Sequence, residues 1–310
     1  MTSDTAPRHA LTVLDAGLSS LAVDLGRTGS RARGVPLGGA ADRFAYQLGN
    51  LLLGNRPDAV AVEVTLKGPT LRAEVETVAV VFGAPFEVTV NGNEVAPNTT
   101  FRLTPRDTLR IGGTPVGCRA YLCVVGGFDV PTILGSRSSL EPLRAGDVLL
   151  CGAGAGRTGR GIWSLLVPPS PGGRDKWLRA LPGPQADWFP DGGFFDRPFT
   201  VAPASNRMGV RLLGEPIPKW AGELASEPVA PGAVQVTNDG LPVVLGVDGQ
   251  TIGGYPKVAH VIRADLDAVG QLRPGDGVRF ARVSMADAEA AATERARELR
   301  LWRMRLELLK

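Results

Sequence analysis

"LRPGDGVRF" (Leu272–Phe280) reads as a single unit: a leucine, a tight turn closing on Gly-Asp, then an apolar run of strand length. The chain says the same thing twice more. "LTPRDTLRI" (Leu103–Ile111) and "LRAGDVLLC" (Leu143–Cys151) keep the leucine, the two-residue gap and the Arg-Asp or Gly-Asp ahead of an apolar run. Aspartate suits that position because its carboxylate accepts hydrogen bonds from the backbone of its own turn. A turn–strand unit recurring in both halves predicts two related β-barrels or sandwiches, and its irregular spacing excludes a solenoid.

The remaining pattern is mainly β. "ALTVLDAG", "SLAVDLG", "AVAVEVTL", "TLRAEV" and "TVAVVFG" are short runs that end at Gly, Pro or polar residues. In 310 residues, 40 glycines and 25 prolines favour turns over long helices. "FEVTVNGNEV" (86–95) predicts a hairpin with Asn91-Gly92 at its tip. Helices are few. "AADRFAYQLGNLLLGN" (40–55) places Phe44, Leu48, Leu51 and Leu52 on one face and stops at Gly54-Asn55. Residues 284–310 form the one long helix, with Ser284 and Asp287 as a capping box and Ala288, Ala291, Ala292, Leu299, Trp302 and Leu306 spaced for packing. The expected organisation is an N-terminal β subdomain over 10–160, a second over 161–283, and the helix. Residues 152–182, rich in Gly and Pro, are the expected linker.

Composition excludes several classes of function. At 44% hydrophobic and 21% charged the chain can bury a core. A net charge of +3 with no basic stripe speaks against nucleic acid as a partner. No apolar run reaches the roughly 18 residues of a membrane span, and the N-terminus lacks the pattern of a signal peptide. A cytoplasmic protein is therefore expected, with Cys118, Cys123 and Cys151 as reduced, buried thiols. Gly154, Gly156 and Gly159 spell the dinucleotide fingerprint, but the prolines that follow leave no room for its helix. There is no Gly-Lys pair for a P-loop, and "LGSRSS" (134–139) is not a nucleophile elbow. Of the two histidines, His9 lies in the N-terminal tail, and His260, between Ala259 and Val261, reads as a core residue.

Polar clusters among glycines remain. "SNRMGVR" offers Asn206, Arg207 and Arg211; "VQVTNDG" offers Gln235 and Asp239; "VDGQTIGGYPK" offers Asp248, Gln250, Thr251, bare backbone at Gly253 and Gly254, Tyr255 and Lys257. Such a set supplies amide readers, cations for an anion and one or two carboxylates, with no metal cluster among them.

These segments, with "AYLCVVGGFDVPTILGSRSS", "LPGPQADWF" and "GGAADRFAYQLGNLLLGN", resemble subunit 2 of the allophanate hydrolase/5-oxoprolinase group, the KipA-type proteins. The likeness runs over about residues 10–285. It implies a mainly β fold of two cyclophilin-like β-barrel subdomains and a KipI-type sister subunit. It also implies ATP with Mg2+ to phosphorylate a lactam oxygen, and a LamB/YcsF-type hydrolase subunit to open the ring of 5-oxoproline to glutamate. Under that reading Lys257, Asp239 and Tyr255 are the expected catalytic residues. Asn206, Arg207, Gln235, Gln250, Thr251, Gly253 and Gly254 would bind substrate. The same resemblance allows a biotin-dependent carboxyltransferase acting on urea or an amide, with biotin on another chain, or a regulatory binding subunit. Pro228, Ile252 and the "VQVTNDG" turn depart from the family pattern and bear on substrate rather than fold.

Overall fold

A computed structural model describes residues 10–152, 175–189, 194–195, 197–218, 222 and 224–308. By its internal contacts the chain divides into two units. One comprises Met1–Gly26, Arg43–Pro168 and Leu301–Lys310; the other comprises Arg27–Asp42 and Pro169–Arg300.

The first unit is built from two antiparallel sheets. The larger runs, in spatial order, Phe128–Asp129, Val148–Cys151, Ala10–Asp15, Thr70–Ala73, Thr108–Ile111, Val88–Val90 and Asn93–Glu94. The smaller runs Ser20–Val23, Ala61–Thr65, Arg119–Val124, Thr77–Gly83 and Phe101–Leu103. Alternate residues from both fill one core: Leu11, Leu71 and Leu109 from the first sheet meet Val62, Val64 and Leu122 from the second. This unit surrounds its core with two ladders and not one closed ring. Helix α1 (Arg43–Leu52) lies against the smaller sheet, where a Cβ on Gly49 would come within 2.9 Å of both Phe82 and Cys123. Its end is a Schellman motif: Asn55 N–H donates to Asn50 O and Gly54 N–H to Leu51 O, with Gly54 at φ +77°. The three cysteines are buried and form no disulfide, and burial pushes the Cys151 thiol up to about 12.

The second unit is a closed barrel. Its strands follow the order Asp175–Pro182, Lys257–Val261, Ala233–Val236, Pro242–Leu245, Gly209–Leu213, Phe199–Val201 and Gly277–Arg282, and the last pairs back on the first in parallel. Leu178, Val234, Val244, Val278 and Phe280 fill it. The first of these strands corrects the expected linker. Asp175–Pro182 is a wall of the barrel, because "DKWLRALP" has an alternating face to bury. The glycine-rich fingerprint and the boundary expected at residue 160 lie outside the described residues.

All three copies of the turn–strand unit are present and share one bonding pattern. The carboxylates of Asp107, Asp147 and Asp276 each accept from the amide three residues back: Thr104 at 2.7 Å, Arg144 at 2.8 Å and Arg273 at 3.1 Å. The residue before each aspartate is left-handed: Arg106 at φ +76°, Gly146 at +93° and Gly275 at +90°. It donates to the neighbouring strand, at Ala73, Val13 and Val201 respectively. The Asn91-Gly92 hairpin is also as expected, with both tip residues at positive φ. "LGSRSS" proves structural. The Asp24 carboxylate, despite burial, is held below its usual range because it accepts from Ser136, Arg137 and Ser138.

Two helices follow in the second half: α2 (Leu266–Gly270) and α3 (Met285–Leu308). The capping box on α3 is made, since Ser284 N–H donates to Asp287 and Asp287 N–H to the Ser284 hydroxyl. Its expected packing stripe is half-buried along its length, and only Leu306 is fully buried. No helix among the described residues is long and apolar enough to cross a membrane.

Candidate functional site

The site grows from the place where "GGYPK" leaves one sheet for another. Ile252–Gly253 pairs with Glu227–Pro228 as a small ribbon, with Glu227 opposite Gly253. The chain bends through Gly254, Tyr255 and Pro256, then enters the barrel as Lys257–Val261. A bulge accompanies the entry: Val234 faces Ala259 in register, but Gln235 faces Lys257. Two buried polar side chains, 2% and 6% exposed, thus stand on adjacent strands.

Lys257 is gripped on three sides. Its ammonium is ion-paired with the Glu227 carboxylate. Its N–H donates to Gln185 Oε1 at 3.0 Å, and its carbonyl accepts from Gln185 N–H at 3.2 Å. Gln185 Nε2 then donates to the same Glu227 oxygen at 2.9 Å, closing a ring of hydrogen bonds. The Lys257 ammonium, helped by Gln185 and opposed by partial burial, holds the Glu227 carboxyl below the usual range. Gly183 permits the approach, since a Cβ there would collide with the Lys257 carbonyl oxygen.

Beside the grip sits an amide pair. Gln250 Nε2 donates to Gln235 Oε1 at 3.3 Å, which leaves Gln235 Nε2 buried and without a partner among the described residues. Neither Gly253 nor Gly254 has a positive φ, so conformation is not what these glycines supply. They supply room. A Cβ on Gly253 would lie 2.6 Å from Gln235 Nε2 and 3.3 Å from Gln250 Nε2. Thr251 is buried and passes its carbonyl to Val229 N–H at 3.0 Å. Tyr255 is 38% exposed at the bend.

Arg31 reaches the same ribbon from the loop Arg27–Asp42, which belongs to this unit. That loop is laced down by Gly38 N–H on Val247 O and by Asp42 accepting from Gln271 at 2.7 Å. Arg31 Nη2 donates to the Val229 carbonyl and, at 3.4 Å, to the Gln250 carbonyl. Its Nη1 is buried with no partner among the described residues.

The structure therefore brings Lys257, Gln235, Gln250, Thr251 and Gly253 together, with Gly254 and Tyr255 on the adjoining bend. It employs others differently. Arg207 forms a two-pronged ion pair with Asp248, at 2.7 and 3.0 Å, and also donates to Gly39 O. Asn206 accepts from Met208 and Gly209 N–H, closing its own turn. Asp239 does likewise with the Thr237 hydroxyl and Leu241 N–H. Among the described residues no group of three or more His, Cys, Asp or Glu could hold a metal. His260 is half-buried on the barrel strand, and burial holds its imidazole below the ordinary value.

Residues 33–282 match the family described as carboxyltransferase domain, subdomain A and B. The chain belongs to that family. As a carboxyltransferase-domain chain it is 34% identical over 315 residues to a 5-oxoprolinase subunit of Escherichia coli (strain K12), covering 96% of this chain and 99% of the relative. It is also 34% identical over 290 residues to the urea amidolyase of Saccharomyces cerevisiae, over 84% of this chain and 16% of that one. The crystal structure of the K. lactis urea amidolyase superposes with a TM-score of 0.86 at 31% identity, over 97% of this chain. This chain spans 20% of that protein's length.

Gln185, Glu227 and Arg31 are site residues that residue-type reasoning passed over. Gln185 lies in "LPGPQADWF", where its neighbours Gly183 and Pro184 mark a close approach. Glu227 and Arg31 carry no such signal, because their partners are fixed by strand register and by a loop far away in sequence.

Proposed function

We propose that this chain is the amide-binding subunit of an ATP-dependent 5-oxoprolinase. The observation that carries the reading is the buried, unpartnered Gln235 Nε2, held over Gly253 beside the Lys257–Glu227–Gln185 ring. A buried donor without an acceptor costs about 1–3 kcal/mol, and a ligand carbonyl oxygen would relieve it. The near full-length likeness to a 5-oxoprolinase subunit supports a lactam as that ligand.

In this reading Gln235 Nε2 donates to the lactam oxygen, and Gln250 fixes which way the Gln235 amide faces. Lys257 brings positive charge to the oxygen as it takes on negative charge, and Glu227 with Gln185 keeps the ammonium from wandering. Glu227 also lets that charge be buried at all. Tyr255, at the mouth of the bend, covers the substrate. ATP with Mg2+, when bound, supplies the phosphoryl group that converts the lactam oxygen into a leaving group. The described residues present no carboxylate cluster, so magnesium would arrive on the nucleotide with at most one or two protein ligands. The enzyme is completed by a KipI-type sister subunit and by a LamB/YcsF-type hydrolase subunit, the latter opening the ring to glutamate.

The test uses the assembled enzyme, co-expressed with both partners. Lys257→Ala is expected to lower 5-oxoproline-stimulated ATP hydrolysis by about 100-fold or more, the scale of losing one preorganised electrostatic contact. Unchanged turnover would remove Lys257 from the mechanism.

A second reading has its own support in the family match and the likeness to urea amidolyase. There the same Lys257 and Gln235 would orient a carboxyl group and an amide nitrogen during transfer from carboxybiotin carried on another chain. A biotinylated partner detected with streptavidin after affinity capture would favour it.

A further inference from the structure

Two of the cations that the polar clusters offer already have carboxylate partners. Lys257 is paired with Glu227, and Arg207 is paired in two-pronged fashion with Asp248. Among the described residues Arg31 has only carbonyl partners, Val229 O and Gln250 O, and its buried Nη1 has none. A guanidinium seldom lies half-buried without an anion, because its charge has lost water and gained only dipoles in exchange. Its position relative to the amide reader is fixed by one residue. Gln250 accepts from Arg31 through its backbone and donates to Gln235 through its side chain. An uncompensated cation and an uncompensated amide donor therefore flank the same Gln250.

We propose that Arg31 is the specificity-determining residue that receives a carboxylate on the substrate, so that the site prefers a carboxylate-bearing lactam or amide over a neutral one such as urea. This deepens the lactam reading and rests on it for the identity of the reaction. Arg31 Nη1 donates to the carboxylate while Gln235 Nε2 donates to the ring carbonyl, and Gln250 sets the separation of the two donors. Carboxylate recognition by a planar fork is also what distinguishes arginine from lysine at this position.

The experiment compares 5-oxoproline with 2-pyrrolidinone, the same five-membered lactam without its carboxylate. The assembled enzyme and its Arg31→Ala and Arg31→Lys variants would be assayed for lactam-stimulated ATP hydrolysis. The expected result is a KM for 5-oxoproline raised about 10- to 100-fold in Arg31→Ala, the worth of a hydrogen bond to a charged group. The expected kcat is nearly unchanged, 2-pyrrolidinone is unaffected, and Arg31→Lys recovers part of the loss. Equal effects on both lactams, or none on either, would overturn the proposal while leaving the lactam reading intact. If the wild-type assembly shows no lactam-stimulated turnover, the lactam reading itself fails. Calorimetric binding of 5-oxoproline, 2-pyrrolidinone and urea to the chain then decides on Arg31. Tighter binding of the carboxylate-bearing ligand, lost in Arg31→Ala, supports it; equal binding of all three refutes it. Melting temperatures of both variants exclude a folding defect, and Arg31→Lys keeps the test open if Arg31→Ala does not fold.

Discussion

At the scale of single residues, the answer to why a strand would carry two glycines is volume. Gly253 lacks the carbon that would strike Gln235 Nε2, and it gains nothing from glycine's φ freedom. Gly253→Ala is therefore expected to push the Gln235 amide aside. Activity of the assembled enzyme should fall by about 10-fold or more, and stability by about 1–3 kcal/mol as for other overpacked sites. Wild-type kinetics in Gly253→Ala would mean that the Gln235 amide is not the reader. His260 gives a second residue-level prediction. Burial depresses its folded pKa below the unfolded value, so the unfolded chain binds the extra proton. Stability is then full above about pH 6.5 and is lost as pH falls through that value toward the folded pKa. Urea midpoints followed from pH 7.5 to 5.5 should decline, and His260→Gln should flatten the decline by up to about 1.4 kcal/mol per pH unit. An unchanged slope in the variant would show that His260 titrates alike in both states.

At the scale of elements, the turn–strand unit is where the sequence was most legible. Aspartate, the preceding left-handed residue and the following alternation are all local, so three turns could be read from one pattern. Arg106 is the odd member, an arginine where the other two turns place glycine. Left-handed backbone costs a side-chain-bearing residue about 1–2 kcal/mol, partly offset by the ~0.4–1 kcal/mol that glycine forfeits through a freer unfolded chain. Arg106→Gly should raise stability by about 0.5–1 kcal/mol in urea unfolding, and Gly275→Ala should lower it. Opposite signs would contradict the shared geometry. Helix α1 was equally readable, since its apolar face and its Gly54-Asn55 stop are both local features. Asp175–Pro182 was misread as linker because its proline- and glycine-rich neighbours dominate the composition, while its alternation matters only once a parallel partner, Gly277–Arg282, is beside it.

For the molecule as a whole, what stayed hidden was whatever depends on register or on return of the chain. Lys257 and Gln235 were visible by residue type, but their buried opposition comes from a bulge. The Glu227 partner comes from a two-residue ribbon strand. Nothing in "RTGSRARG" announces that Arg27–Asp42 joins the second unit and lays Arg31 on the ribbon. Asn206 and Asp239 illustrate the reverse: polar residues beside glycines can belong wholly to their turns. In the function proposed above, this barrel presents an amide reader and a gripped lysine to a lactam. The most direct test is ATP hydrolysis by the chain assembled with the proposed KipI-type and LamB/YcsF-type partners, with and without 5-oxoproline. Hydrolysis is expected to depend on 5-oxoproline and to collapse in Lys257→Ala. Hydrolysis indifferent to 5-oxoproline, or undiminished in Lys257→Ala, would contradict the proposed function.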